Sequence, residues 1–205
     1  MTARQVTMCG LGVALLAVAS SVTLALGPVP FTLQTLALAV LPVALGGRDA
    51  TLVVACYLVL GGLGLPVFSG FGGGPGHLLG PTGGFLWGFL AGTAVAWAVL
   101  RVTAIPERAR EALAVTSMLL VSYALGTVQL MALLGLDASS ALAVAVLPFV
   151  VPDALKLAVG VSVGRAVRRA VRPSVRPAEA RRGVWRPCVD LSAPGRRPDG
   201  RPGRR

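Results

Sequence analysis

Charge is what this 205-residue sequence has least of: Asp, Glu, Lys and Arg make up 13% of it, against about 25% in an average soluble domain. None of these four residues occurs in the 43 positions between Arg4 and Arg48, nor in the 51 between Asp49 and Arg101. A chain so poor in charge has no polar skin for a soluble globule. That excludes a soluble enzyme, and a content of 55% hydrophobic residues excludes a disordered chain. Histidine occurs once, at His77. Cys9, Cys56 and Cys188 are too far apart for a metal spacing or a disulfide framework, and read as small apolar fillers. No Gly-Lys-Ser/Thr follows the glycine-rich stretch from Gly70 to Gly84, so a nucleotide site is not expected.

What is present is apolar length. Mean hydropathy is +0.77, and a membrane-spanning helix needs about 20 apolar residues, so each charge-free run has room for two crossings. The fold class expected is an all-α membrane protein. Arg4, the apolar run behind it and small residues at Ala17 to Ser21 imitate a secretory signal. The chain stays hydrophobic far beyond any cleavage point, so the first helix is expected to be retained.

The net charge of +11 belongs to one end. Residues 165–205 carry 13 Arg against Glu179, Asp190 and Asp199, while residues 1–164 are nearly neutral. This reads as two regions, a transmembrane domain over 1–165 and a basic, proline-rich, disordered tail over 166–205. It does not read as a nucleic-acid footprint. The start of the tail, Arg165 to Arg172, suits contact with anionic lipid.

Apolar runs and their breakers predict six helices, over about 6–26, 33–46, 49–65, 85–100, 112–134 and 139–164, with Asp49 or Thr51 capping the third. Pro148 and Pro152 predict a kink or broken turn in the sixth. The stretch from Ser69 to Gly84 has too much backbone freedom for a helix. With six crossings, every basic residue except Lys156 falls on one side, and the loops 27–31, 66–84 and 135–137 carry none. Positive charge collects in the cytoplasm, so both termini are expected there.

Asp153 and Lys156 are the two ionisable residues that stand out inside the helices. Three apart, they share a helix face and can meet. Each costs about 2.5–3.5 kcal/mol at bilayer depth, so the pair marks a polar ligand contact, the alternative being a structural ion pair or a snorkelling Lys156. Thr32 and Gln34 lie in the stiff stretch Pro28-Val29-Pro30-Phe31-Thr32-Leu33-Gln34. The Gly70–Gly84 stretch lets backbone approach a ligand, and His77 within it reads as a hydrogen-bonding or lid residue, not a metal ligand. Gly10, Ala14, Ala17 and Ser21 form a small-residue stripe on the first helix, open to either internal packing or partner docking.

Three segments in order carry a family resemblance: Gly27-Pro-Val-Pro-Phe-Thr-Leu-Gln34; Gly61-Gly-Leu-Gly-Leu-Pro-Val-Phe68 leading to Leu79-Gly-Pro-Thr-Gly-Gly-Phe85; and Pro148-Phe149 followed by Asp153 and Lys156. Together they resemble the BioY family, biotin-binding S-components of energy-coupling-factor (ECF) transporters, over about residues 10–170. The resemblance implies a six-helix S-component bundle in a bacterial plasma membrane that captures biotin from outside. It also implies delivery inward by toppling, with a T-component and two ATPases as partners and the stripe on the first helix facing the T-component. Biotin is then a substrate, with no cofactor. Asp153 would accept from a ureido N–H, and Lys156 would donate to the ureido oxygen or to the carboxylate. Thr32, Gln34 and His77 would close over the ligand, and Phe68 and Phe85 would supply apolar walls. Two positions depart from the family's pattern: Val151-Pro152-Asp153 stands where Pro-Gly-Asp is common, and Gln129 where a large aromatic is often seen. The other readings are an S-component for another small vitamin and a non-transport membrane scaffold acting through its basic tail. An intramembrane enzyme lacks a second catalytic group at depth.

Overall fold

A computed structural model of the chain describes residues 3–24 and 29–171. The readings that fall on Gly27-Pro28 and on residues 172–205, the disordered tail among them, lie outside these residues. The described part is helical: α1 (Ala3–Ser21), α2 (Gln34–Ala44), α3 (Gly47–Gly62), α4 (Pro75–Leu79), α5 (Gly83–Leu100), α6 (Glu107–Leu134), α7 (Ala138–Ala145) and α8 (Leu147–Val171). One two-stranded antiparallel ribbon, β1 (Thr23–Leu24) and β2 (Phe31–Thr32), joins α1 to α2. Helices α5, α6 and α8 are long and apolar enough to cross a membrane, and α1 and α2 are shorter apolar helices.

Each of the six expected segments holds a helix, with shifted ends that have local causes. Helix α1 stops at Ser21, not near Leu26, because hydroxyls compete for its last carbonyls: Ser20 and Ser21 bond Ala17 O, and Thr23 bonds Ser20 O. Neither Asp49 nor Thr51 caps α3. Gly46 does so, with φ +93° and no side-chain cap bond, and Thr51 instead donates to Gly47 O. Helix α6 begins at Glu107, five residues before the expected start. Its charged first turns are held by ion pairs, Glu111 to Arg165 (2.5 Å) and to Arg168 (2.8 Å), and Glu107 to Arg168 (2.9 Å). The same pairs carry α8 to Val171, past the expected end.

The sixth segment is broken, as expected, but at Val146 (φ −123°, ψ −55°), ahead of both prolines. Pro148 then lies in the first turn of α8, where its missing N–H costs nothing, and Pro152 is carried inside the helix. Asp137 caps α7 by accepting from the backbone N–H groups of Ser139 (3.1 Å) and Ser140 (3.2 Å). The Ser139 hydroxyl and these bonds hold its carboxyl well below the usual carboxylate range.

The Ser69–Gly84 stretch does contain helix, contrary to expectation: a 3-10 turn at Ser69–Phe71 and α4. Pro75 at the first helical position starts α4. Bonds from elsewhere hold its far end, as described below.

Helix packing relies on glycine at every fourth residue. A Cβ on Gly88 would sit 2.5 Å from Ser122 Cα, and one on Gly92 2.5 Å from Met118 O, so the Gly84–Gly88–Gly92 face brings α5 against the α6 backbone. Gly160 and Gly164 do the same for α8 on α2, where added Cβ atoms would meet Ala39 Cβ at 2.6 Å and Val43 Cβ at 2.8 Å. The main core runs through Leu38, Val53, Tyr57, Phe68, Phe89 and Met118, all buried. A second cluster joins α2, α6 and α8 through Val43, Leu119 and Val161.

Candidate functional site

Helix α8 brings Asp153 and Lys156 onto one face, and they meet: Lys156 Nζ lies 2.8 Å from Asp153 Oδ1, and both residues are buried. Two further elements fasten the carboxylate. Thr35 of α2 donates to Oδ1 at 2.9 Å, and Tyr123 of α6 donates to Oδ2 at 2.8 Å. The ammonium also donates to the Thr32 carbonyl on β2 at 2.8 Å, and lies 3.7 Å from the centroid of the Phe31 ring. That ring stacks on Phe149, centroids 6.2 Å apart. The ribbon thus delivers Phe31 and Thr32 to the start of α8, and the charge is balanced locally by the carboxylate, a carbonyl and an aromatic face.

These groups border a cavity with about 670 Å³ of empty space, the open solvent at its mouth included. All seven residues expected to contact a ligand line it: Thr32, Gln34, Phe68, His77, Phe85, Asp153 and Lys156. Their attachments differ. Gln34 is buried and donates to the Tyr57 hydroxyl (3.1 Å), which donates to Val67 O (2.9 Å). Phe68 is buried with its edge against Tyr57 and fills the space a Cβ on Gly61 would take. His77 lies beside Phe68, centroids 6.0 Å apart, and its Nδ1 is 3.1 Å from Gly73 O.

The lining includes residues the sequence reading passed over: Thr35, Ser122, Tyr123 and Phe149 among them. Tyr123 had a legible signal, a phenol in an otherwise apolar span, where a buried hydroxyl must find a partner. Thr35 is a further hydroxyl one turn beyond Thr32, but nothing in the sequence pairs it with a residue 118 positions away.

Gln129 has a structural role. Its amide donates to Gly80 O at 2.7 Å and to Leu78 O at 3.4 Å, and the Trp87 indole donates to Leu78 O at 3.2 Å. Helices α6 and α5 therefore hold the C-terminal end of α4, which carries His77. The stripe on α1 faces away from the described bundle. Gly10 and Ala14 are exposed and Ala17 and Ser21 half-buried, whereas Gly12, Leu16 and Ser20 make the buried face. Internal packing, one of the two uses considered for the stripe, is carried by that other face.

An apolar helical bundle that buries a paired carboxylate and ammonium beside a cavity, with loop segments and a short helix around the mouth, has the build of a membrane protein that holds a small polar ligand. Comparison with known proteins makes this specific. The profile of the BioY family matches residues 1–173, and the chain belongs to that family. It is 37% identical over 157 residues to the probable biotin transporter BioY of Pyrococcus horikoshii, covering 76% of this chain and 91% of that protein. It is 36% identical over 155 residues to the biotin transporter BioY2 of Lactococcus lactis, covering 74% and 83%. With the biotin transporter BioY of Thermotoga maritima it shares 47% identity over 92 residues, 45% of this chain and 54% of that one. The fold matches a crystal structure of the S-component for biotin from an ECF-type ABC transporter with a TM-score of 0.73, at 23% identity, over 82% of this chain and 95% of that chain.

Proposed function

We propose that this chain is a biotin-binding S-component, a transporter subunit and not an enzyme, and that biotin binds in the cavity beside Asp153 and Lys156. The observation that carries this reading is the donor and acceptor balance of that pair. A carboxylate offers about four lone-pair positions and an ammonium three N–H donors. Thr35 and Lys156 use Oδ1, Tyr123 uses one position on Oδ2, and Lys156 spends two donors on Asp153 and the Thr32 carbonyl. By this count one acceptor and one donor remain, the ammonium also facing the Phe31 ring, and the pair carries no net charge. A ureido edge, with an N–H beside a C=O, matches them. A carboxylate at the same place would face Asp153. We therefore assign Lys156 to the ureido oxygen and Asp153 to a ureido N–H, with the biotin carboxylate toward Ser69, His77 and Thr82. Phe68, Phe85 and Phe149 then enclose the thiolane and chain, and Thr32 and Gln34 close the site from the ribbon side.

The chain then crosses a bacterial plasma membrane six times, α7 and α8 forming the sixth crossing, with both termini in the cytoplasm. Segregation of the basic residues supports this orientation. A T-component and two ATPases drive release inward, since no nucleotide-binding motif is read in this chain, and the outward-facing stripe of Gly10, Ala14, Ala17 and Ser21 is the T-component contact.

Binding of labelled biotin to the detergent-purified protein, competed with other small vitamins, tests the substrate. Biotin is expected to displace the label and the others not. Displacement by a different vitamin at lower concentration than biotin would reassign the subunit.

A further inference from the structure

At the opposite end of the same helices lies a second cavity, with about 1400 Å³ of empty space counted in the same way. It forms where α2, α5 and α8 end and α3 and α6 begin. Arg101, Arg110 and Arg168 line it, Asp49 is its acidic residue, and Trp97 and Leu100 give it an apolar wall. The cations are unequally engaged. Arg168 is committed to Glu107 and Glu111. Arg110 donates through Nη1 to Val102 O (3.2 Å), but its Nε is buried and has no hydrogen-bond partner among the described residues. Arg101 is exposed and forms no ion pair among the described residues. The amino end of α3, where the Gly46 cap brings no side-chain hydrogen bond, also opens here, adding backbone N–H groups that favour an anion.

Arg is suited to the fork geometry of phosphate, and Arg101 and Arg110 line this cavity with no carboxylate partner among the described residues. The apolar wall adds a preference of its own, because an inorganic ion gains nothing from Trp97 and Leu100 whereas a phosphate carrying a glycerol and acyl chain does. The cavity lies where the apolar helices α5 and α8 run out into charge, the level at which Trp and Arg meet headgroups. We propose that this cavity binds a phosphate-bearing anion through Arg101 and Arg110, and that its occupant is an anionic phospholipid headgroup. This does not depend on the biotin assignment, since the two cavities share no residue.

The test uses the full-length protein, delipidated in neutral detergent. Melting temperature is followed while phosphatidylglycerol, phosphatidylcholine or inorganic phosphate is added, and native mass spectrometry counts retained phosphatidylglycerol. Phosphatidylglycerol is expected to raise the melting temperature and to stay bound, phosphatidylcholine to do neither. Arg101→Gln with Arg110→Gln should weaken phosphatidylglycerol by roughly thirtyfold, the worth of two basic contacts at a membrane surface. Because Arg101 is exposed, Arg101→Gln alone provides a variant that keeps its fold. A shift produced equally by inorganic phosphate, and lost in the variants, would assign the site to the free anion. Equal effects of the two lipids, or a phosphatidylglycerol response unchanged in both variants, would overturn the proposal.

Discussion

Asp153 accepts from three partners on three different elements, so its position depends on the whole group and not on Lys156 alone. Tyr123→Phe removes one charge-assisted hydrogen bond, worth about 1.5–3 kcal/mol, and leaves the ring in place. It is expected to weaken biotin by about tenfold or more in equilibrium binding, although the Tyr123 hydroxyl is already spent on Asp153. An unchanged affinity would show that Asp153 does not need that anchor. At this scale the sequence is most informative about charge: two ionisable groups in an apolar span announce a site on cost alone. The polar residues around them are legible where a stiff or a glycine-rich stretch carries them, as at Thr32, Gln34 and His77, and the walls Phe68 and Phe85 through the family resemblance. Thr35 and Tyr123 escaped because serine, threonine and tyrosine are tolerated in apolar helices for many reasons, and only the fold shows which of them share an acceptor.

Elements here are set against one another by glycine faces. Gly160→Leu on α8 would push into Ala39 and the Leu36 carbonyl, and overpacking of that kind costs about 1–3 kcal/mol. A melting temperature lower by several degrees is expected, with no comparable loss for Gly76→Ala, where an added Cβ meets nothing within 4 Å. The small-residue spacing on α1 was readable, yet the face that packs inside the bundle is the one through Gly12, Leu16 and Ser20, and the closest helix contact is the α5 glycine face. Periodicity identifies a face, but not the neighbour that occupies it. Charge pairing moves helix ends in a way local sequence hides: Glu107 and Glu111 look like loop until Arg165 and Arg168 neutralise them across 54 or more positions. Helix α4 was missed because its stability is tertiary. Its far end is held by Gln129 and Trp87, so Gln129→Ala is expected to speed biotin release in stopped-flow experiments, with little effect on melting temperature.

Across the whole molecule, residues 1–172 are expected to suffice for the ligand. A chain ended at Arg172 is expected to bind biotin as the full chain does. Loss of function there, with Asp153 and Lys156 variants behaving normally, would instead favour the scaffold reading. Calorimetry of biotin with the purified protein and with Lys156→Ala decides whether the Asp153–Lys156 cavity is the biotin site. Saturable one-site binding to the parent chain is expected, with an affinity at least about tenfold weaker in the variant, the loss of one hydrogen bond to a charged group. Equal biotin affinity in both proteins, or no binding by a folded parent chain, would contradict it.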